Sequence, residues 1–163
     1  ALVTENPNKA EKAIVELSDL LRFVLATNLQ QSIPLTEELS LLEKYASIEK
    51  MRYEDQLDIE IEMVGEVRAD EALMPPLILQ PILENAIIHG FKGIHHPLKI
   101  LVRADSHKIS IRNNGAPLEG KNRQGTGLRI VSQRLAHHFG EESTLVLRQE
   151  GDQVVCEITG LNL

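Results

Sequence analysis

The chain has 163 residues, 42% hydrophobic and 25% charged, with a formal net charge of −7 at pH 7. That suits one compact domain plus a modest extra element, and the acidic balance excludes a general nucleic-acid-binding surface, which needs clustered Lys and Arg. A single cysteine excludes an internal disulfide framework, and no run of about 18 apolar residues is present to span a membrane.

The chain opens at Ala1, with no signal-peptide pattern, and reads as a piece of a longer protein. Residues 6 to about 28 are expected to be a helix, capped by Asn6 with Pro7 at its first position. Ala10, Ile14, Leu17, Leu21 and Val24 form its stripe. Asn28 to Leu35 breaks the pattern. Thr36 is then expected to cap a second helix that carries Glu37 and Glu38 in its first turn, suited to the helix dipole, and runs to about Glu54. Leu39, Leu42, Tyr45 and Ile48 make its stripe. Together these two segments form a helical hairpin over residues 1–56.

Near Leu57 the period changes from 3.6 to 2. Leu57, Ile59, Ile61 and Met63 alternate with acidic residues in a half-buried strand that Gly65 ends. Pro75-Pro76 starts a helix from about Leu77 to His89, with Pro81 early enough to be tolerated and Gly90 ending it. Leu98–Arg103 and Lys108–Arg112 read as a hairpin that turns at Asp105-Ser106. Gly127 to His138 reads as a helix with Leu128, Val131 and Leu135 inward. Thr144–Arg148 and Val154–Thr159 form a last hairpin around Gly151-Asp152, with Cys156 a small buried strand residue. Strands paired mainly by hairpins, with helices interspersed, predict an α+β, two-layer sandwich over residues 57–163: a mostly antiparallel sheet with helices on one face. A dinucleotide fold would need repeated β-α-β crossovers and a Gly-x-Gly-x-x-Gly turn, and neither is present.

Three segments carry chemistry. Glu84-Asn85 sits mid-helix between apolar turns, where Asn is a poor helix former and both side chains offer oxygen donors suited to Mg²⁺. Asn113-Asn114-Gly115 ends a strand; it is strong turn chemistry, and its functional interpretation puts Asn113 at the rim of a base pocket with Gly115 letting backbone approach a ligand. Gly125-Thr126-Gly127 opens a helix, where backbone N–H groups and the dipole favour an anion. Lys121 and Arg123, in the polar stretch before it, read by default as a solvated loop pair that could approach phosphates. The pairs His95-His96 and His137-His138 lack the ligand spacing of a metal site.

In this order the three segments resemble the ATP-binding (GHKL, or Bergerat) domain shared by sensor histidine kinases, gyrase-type ATPases and heat-shock chaperones. Pro75-Pro76-Leu77-Ile78-Leu79-Gln80-Pro81-Ile82-Leu83-Glu84-Asn85-Ala86-Ile87-Ile88-His89-Gly90 is similar to the N box of sensor histidine kinases of the LytS/YehU type. Leu17-Ser18-Asp19-Leu20-Leu21-Arg22, Leu35-Thr36-Glu37-Glu38-Leu39 and Ile48-Glu49-Lys50-Met51-Arg52-Tyr53 resemble the stretch after that family's phosphoacceptor, so the likeness covers nearly the whole chain.

The resemblance implies an ATP-dependent protein-histidine kinase with ATP and Mg²⁺ as ligands. Asn85 matches the residue that holds Mg²⁺ against the phosphates, and Glu84 the acidic neighbour that helps deprotonate an incoming histidine. His89 belongs to the same N box. Asn113 stands where the family has an adenine-reading Asp; its carbonyl still accepts a hydrogen bond but carries no charge. Gly115 matches the next box, Gly125 and Gly127, with Thr126 between them, match the one that lines the phosphate side of the lid, and Leu128 matches the hydrophobic residue after it. Pro117 replaces a glycine, Ile88 stands where the family often has a phosphate-contacting Lys, and Lys92 is the substitute cation. The resemblance further implies a homodimer, a response-regulator partner, and a cytoplasmic position in an inner-membrane sensor that meets the membrane only through upstream segments. The family's phosphoacceptor would precede Ala1, since none of the six histidines has its context. The alternative is a degenerate nucleotide-binding or dimerisation module without kinase activity.

Overall fold

The computed structural model describes residues 11, 14, 15, 18, 21, 31–92, 94–118, 125–161 and 163. The expected first helix falls largely outside the described residues, as do Lys121 and Arg123.

In chain order the elements are β1 (Ile33–Pro34), α1 (Leu35–Tyr53), a 3-10 turn (Glu54–Gln56), β2 (Leu57–Met63), β3 (Leu73–Met74), α2 (Leu79–Gly90), β4 (Leu98–Ala104), β5 (Lys108–Asn113), α3 (Thr126–Phe139), β6 (Thr144–Glu150) and β7 (Gln153–Thr159). The main sheet has the order β2-β4-β5-β7-β6. Only its β2–β4 pair is parallel, because a crossover through α2 joins those strands; the other pairs are antiparallel, and β4–β5 and β6–β7 are hairpins. The α+β sandwich expected from hairpins and interspersed helices is the fold observed.

The alternation of β4, β5 and β7 decides what faces the helices. Leu98, Ile100, Val102 and Ala104 are buried on β4, Ile109, Ile111 and Asn113 on β5, and Val154, Cys156 and Ile158 on β7. Asn113 is therefore carried inward by the same period that buries Ile109 and Ile111. α1 packs on β2, α2 on β4 and β5, and α3 on β6. Leu35, Leu39, Leu42 and Ala46 of α1 share one continuous core with the sheet and the other helices. On the opposite sheet face, Arg148 pairs with Glu150 at 2.6 Å and Glu157 at 3.1 Å, and Arg112 with Glu150 at 2.9 Å. These side chains flank the fully buried Val155, which lies opposite both arginines in register.

Two features depart from the sequence-based expectation. Thr36 does not cap α1, which begins at Leu35 behind Pro34 with no side-chain cap. Its first donors instead find loop carbonyls: Leu35 N–H donates to Ala72 O at 2.8 Å and Thr36 N–H to Ala69 O at 3.2 Å. The second is a two-stranded ladder between β1 and β3, with Ile33 opposite Met74, too short to leave a periodic signal. Among the described residues no helix is long and apolar enough to cross a membrane.

Candidate nucleotide-binding site

Helix α2 is amphipathic in two senses. Leu79, Ile82, Leu83, Ala86 and Ile87 are buried against the sheet. Ile82, Asn85, Ala86 and His89, spaced i, i+3, i+4 and i+7, form a second stripe that walls a cavity. Adjacent helical residues point about 100° apart. Glu84 therefore projects from a different side of the helix than Asn85: it is exposed and is absent from the cavity lining.

The cavity has a volume of about 210 Å³. Ile111 and Asn113 of β5, Leu147 of β6 and Val154 and Cys156 of β7 line it from the sheet, and Ala116, Pro117 and Leu118 from the segment after β5. Burial pushes the Cys156 thiol up to about 12, so it is an inert wall group rather than a nucleophile. Asn113 is only 4% exposed and sets a carboxamide among these apolar side chains. Asn85, His89 and Lys92 supply polar groups at the helix side. Lys92 Nζ lies 3.0 Å from His89 Nδ1. Burial first, and the Lys92 charge second, hold the His89 pKa below its ordinary value, so a neutral ring accepts from the ammonium. An apolar slot with one carboxamide suits a flat heterocycle with a hydrogen-bonding edge; the amide, imidazole and ammonium suit an anionic tail. Asn85 is an oxygen donor of the kind Mg²⁺ takes when phosphates and waters complete its shell. No cluster of three or more His, Cys, Asp or Glu occurs among the described residues.

The predicted residues divide. Asn85, His89, Lys92 and Asn113 come together in one cavity. Gly115 does not open space for a ligand: a Cβ there would meet Gly90 Cα and lie 2.6 Å from Gly90 O. It is small because two backbones touch, and Ala116 N–H donates to Gly90 O at 2.9 Å across that contact. Leu128, expected inward on its helix and grouped with the binding residues as the hydrophobic residue after the glycine box, is 2% exposed, belongs to the core and is absent from the cavity lining. Gly125 caps α3 in an extended conformation; Gly125, Thr126 and Gly127 are exposed, outside the cavity lining. Among the described residues, a Cβ on either glycine would meet nothing within 4 Å. Sequence reasoning missed Asn114, whose Oδ1 accepts from Lys99 N–H at 2.7 Å and pins the turn after β5 to the start of β4. It also missed the wall residues Leu147 and Val154, which period-2 alternation alone turns inward.

A family model described as "Histidine kinase" matches residues 1–57. The sensor protein LytS of Staphylococcus saprophyticus is 32% identical over the whole chain, and the chain spans about 30% of that relative's length. The histidine kinase domain of the blue-light activated histidine kinase of Erythrobacter litoralis aligns with 92% of the chain and 80% of its own at a TM-score of 0.61 and 16% identity. Histidine kinase ThkA, solved in complex with the response regulator TrrA, covers 98% of the chain, with 52% of its own length matched, at a TM-score of 0.54 and 15% identity. The solved structures speak for the fold, and over its whole length the chain is similar to part of the LytS-type sensor histidine kinases.

Proposed function

We propose that this chain binds Mg-ATP in the cavity between α2 and β5 and forms the catalytic part of a protein-histidine kinase. The convergence of the Asn85–His89 stripe, Lys92 and the buried Asn113 on one cavity carries the proposal. Adenine enters the apolar slot against Asn113. The phosphates leave toward Asn85 and Lys92, with the exposed Gly125–Gly127 backbone on the lid side. Asn85 would hold Mg²⁺, which when bound would neutralise phosphate charge. Phosphoryl transfer then needs mainly positioning. A histidine nitrogen from the upstream region attacks the γ-phosphorus, the bond to the β–γ bridging oxygen breaks, and ADP leaves. Glu84, exposed on the same turn of α2 but on a different side from Asn85, is the acidic group that the family likeness puts forward to accept the histidine proton.

By kinship, the full-length protein is a homodimer that passes phosphate to a response regulator and is anchored in the inner membrane by upstream segments. The half-exposed or more exposed helical residues Ile14, Val15 and Leu21 support a partner helix in that region. The family-model match ends at residue 57, which supports a division into an upstream phosphoacceptor-proximal region, 1–56, and an ATP-binding region, 57–163.

A thermal melt tests the binding. Mg-ATP at about 100 times its Kd is expected to stabilise the chain by about 2.7 kcal/mol, roughly 5–10 °C in Tm, and no shift at millimolar Mg-ATP sinks the proposal. Incubation with radiolabelled ATP is expected to label an added histidine-bearing upstream segment and leave the 163-residue chain unlabelled. Lys92→Met is expected to weaken Mg-ATP binding about tenfold, ~1.4 kcal/mol, by removing a charge-assisted bond, as read by calorimetry.

A further inference from the structure

Helix α2 has no cap of its own. Ile78 stands at its N-cap without a side-chain hydrogen bond, and Leu77 before it has φ +58°, a left-handed conformation that a branched side chain seldom adopts. The donors at this start turn to another helix: Leu77 N–H donates to Glu38 Oε2 at 2.7 Å and Leu79 N–H to Glu38 Oε1 at 2.8 Å. Glu38 belongs to the first turn of α1 and is 1% exposed. From the other side, Arg134 of α3 donates from Nη2 to Pro76 O at 2.6 Å. Three helices thus meet at one short segment, 76–79.

We infer that Glu38 is a positioning residue for the nucleotide site: by holding both N–H groups at the start of α2, it sets the rotation and height of the helix that carries Asn85 and His89. This rests on the proposal that the cavity binds nucleotide. The two sides of the cavity are mounted separately. Asn113 is fixed by the sheet, paired in register with Ile100 and Val154, whereas Asn85 and His89 move with α2. Their alignment depends on how α2 is seated. At its far end α2 is held by the Gly90–Ala116 bond and by Phe91 stacked on Tyr53 of α1, centroids 4.5 Å apart. At its near end the carboxylate of Glu38 is the seat. Burial raises the Glu38 pKa, and the amides of Leu79, Leu77 and Ile78 and the charge of Arg134 oppose that rise. The carboxyl has been taken out of water to serve these donors.

The test compares the wild type with Glu38→Gln, Glu38→Asp and, as a control, Leu42→Ala, a buried core change on the same helix. Each is read in two ways at a temperature where circular dichroism shows it folded: hydrogen exchange at Leu77 and Leu79, and Mg-ATP affinity by calorimetry. Glu38→Gln keeps one acceptor oxygen and puts an NH₂ against the second donor. It is expected to lose at least tenfold protection at these amides and about tenfold affinity. Glu38→Asp, one methylene short, is expected to fall between, and it decides the matter if Glu38→Gln does not fold. Leu42→Ala is expected to lower Tm while keeping the wild-type affinity. A folded Glu38→Gln with wild-type affinity overturns the inference, as does an affinity loss that Leu42→Ala matches. A wild-type chain that binds no Mg-ATP overturns the nucleotide proposal itself, and this inference with it.

Discussion

Replacing Asn85 with alanine is expected to weaken Mg-ATP binding at least a hundredfold, about 2.7 kcal/mol, while leaving the nucleotide-free protein as stable as before or slightly more so. Asn85 lies on the cavity stripe of α2, half-buried, and outside the hydrophobic core. Truncating it therefore opens no core cavity, and Ala is the better helix former by roughly half a kcal/mol. The loss on the binding side is of another kind. In the proposed site the carboxamide oxygen would be the protein's donor to a cation that offsets phosphate charge, and neither neighbour on the helix offers a replacement. Glu84 points to another side, and Ile88 is apolar and 53% exposed. Calorimetry with Mg-ATP gives the affinity, and a melt without nucleotide gives the stability. Loss of binding together with an unchanged Tm identifies a ligand contact. Unchanged binding in the alanine variant removes Asn85 from the site, and the cation assignment with it.

Why the sequence revealed Asn85 and hid Glu38 is a matter of range. Asn85 is polar on a strongly apolar helix, and helical spacing alone links it to Ile82 and His89. Asn113 was legible as an inward residue because it continues the alternation of Ile109 and Ile111. Its burial to 4% exposure depends on α2 and the segment after β5 closing over it, which no local pattern encodes. Leu128 was legible as an inward residue from its stripe with Val131 and Leu135, and its burial at 2% exposure agrees with that stripe. Glu38 read only as an acidic residue suited to the dipole of its own helix. Its partners lie 39 and 41 residues further along, and nothing local announces that it serves another helix. The start of α1 was misassigned for the same reason: the carbonyls that satisfy its first donors come from Ala69 and Ala72. The hairpins followed from short-range turns. The parallel β2–β4 pair did not, because a crossover fixes neither the partner nor the register.

Gly115→Ala is expected to be the most damaging small substitution near the site, costing about 2–3 kcal/mol of stability, roughly 4–12 °C in Tm, and more than tenfold in Mg-ATP affinity. The added methyl would meet Gly90 Cα and lie 2.6 Å from Gly90 O, with Asn113 Nδ2 at 2.7 Å. Two of those neighbours are backbone atoms of the last turn of α2, which cannot swing aside as a side chain can. Either the segment after β5 lifts away, breaking the 2.9 Å bond from Ala116 N–H to Gly90 O, or the end of α2 shifts. In the first case Ala116, Pro117 and Leu118 leave the cavity wall; in the second His89 and Lys92 move with the helix. Gly90→Ala is the informative comparison. Its methyl would meet the Leu98 side chain at 2.8 and 2.9 Å and Asn113 Nδ2 at 3.2 Å, flexible groups that can turn, so about 1 kcal/mol is expected. If ligand approach rather than backbone packing required Gly115, its alanine variant would lose affinity at unchanged Tm. A fall in both, larger at 115 than at 90, marks the glycine contact as the joint that holds the two sides of the cavity in register.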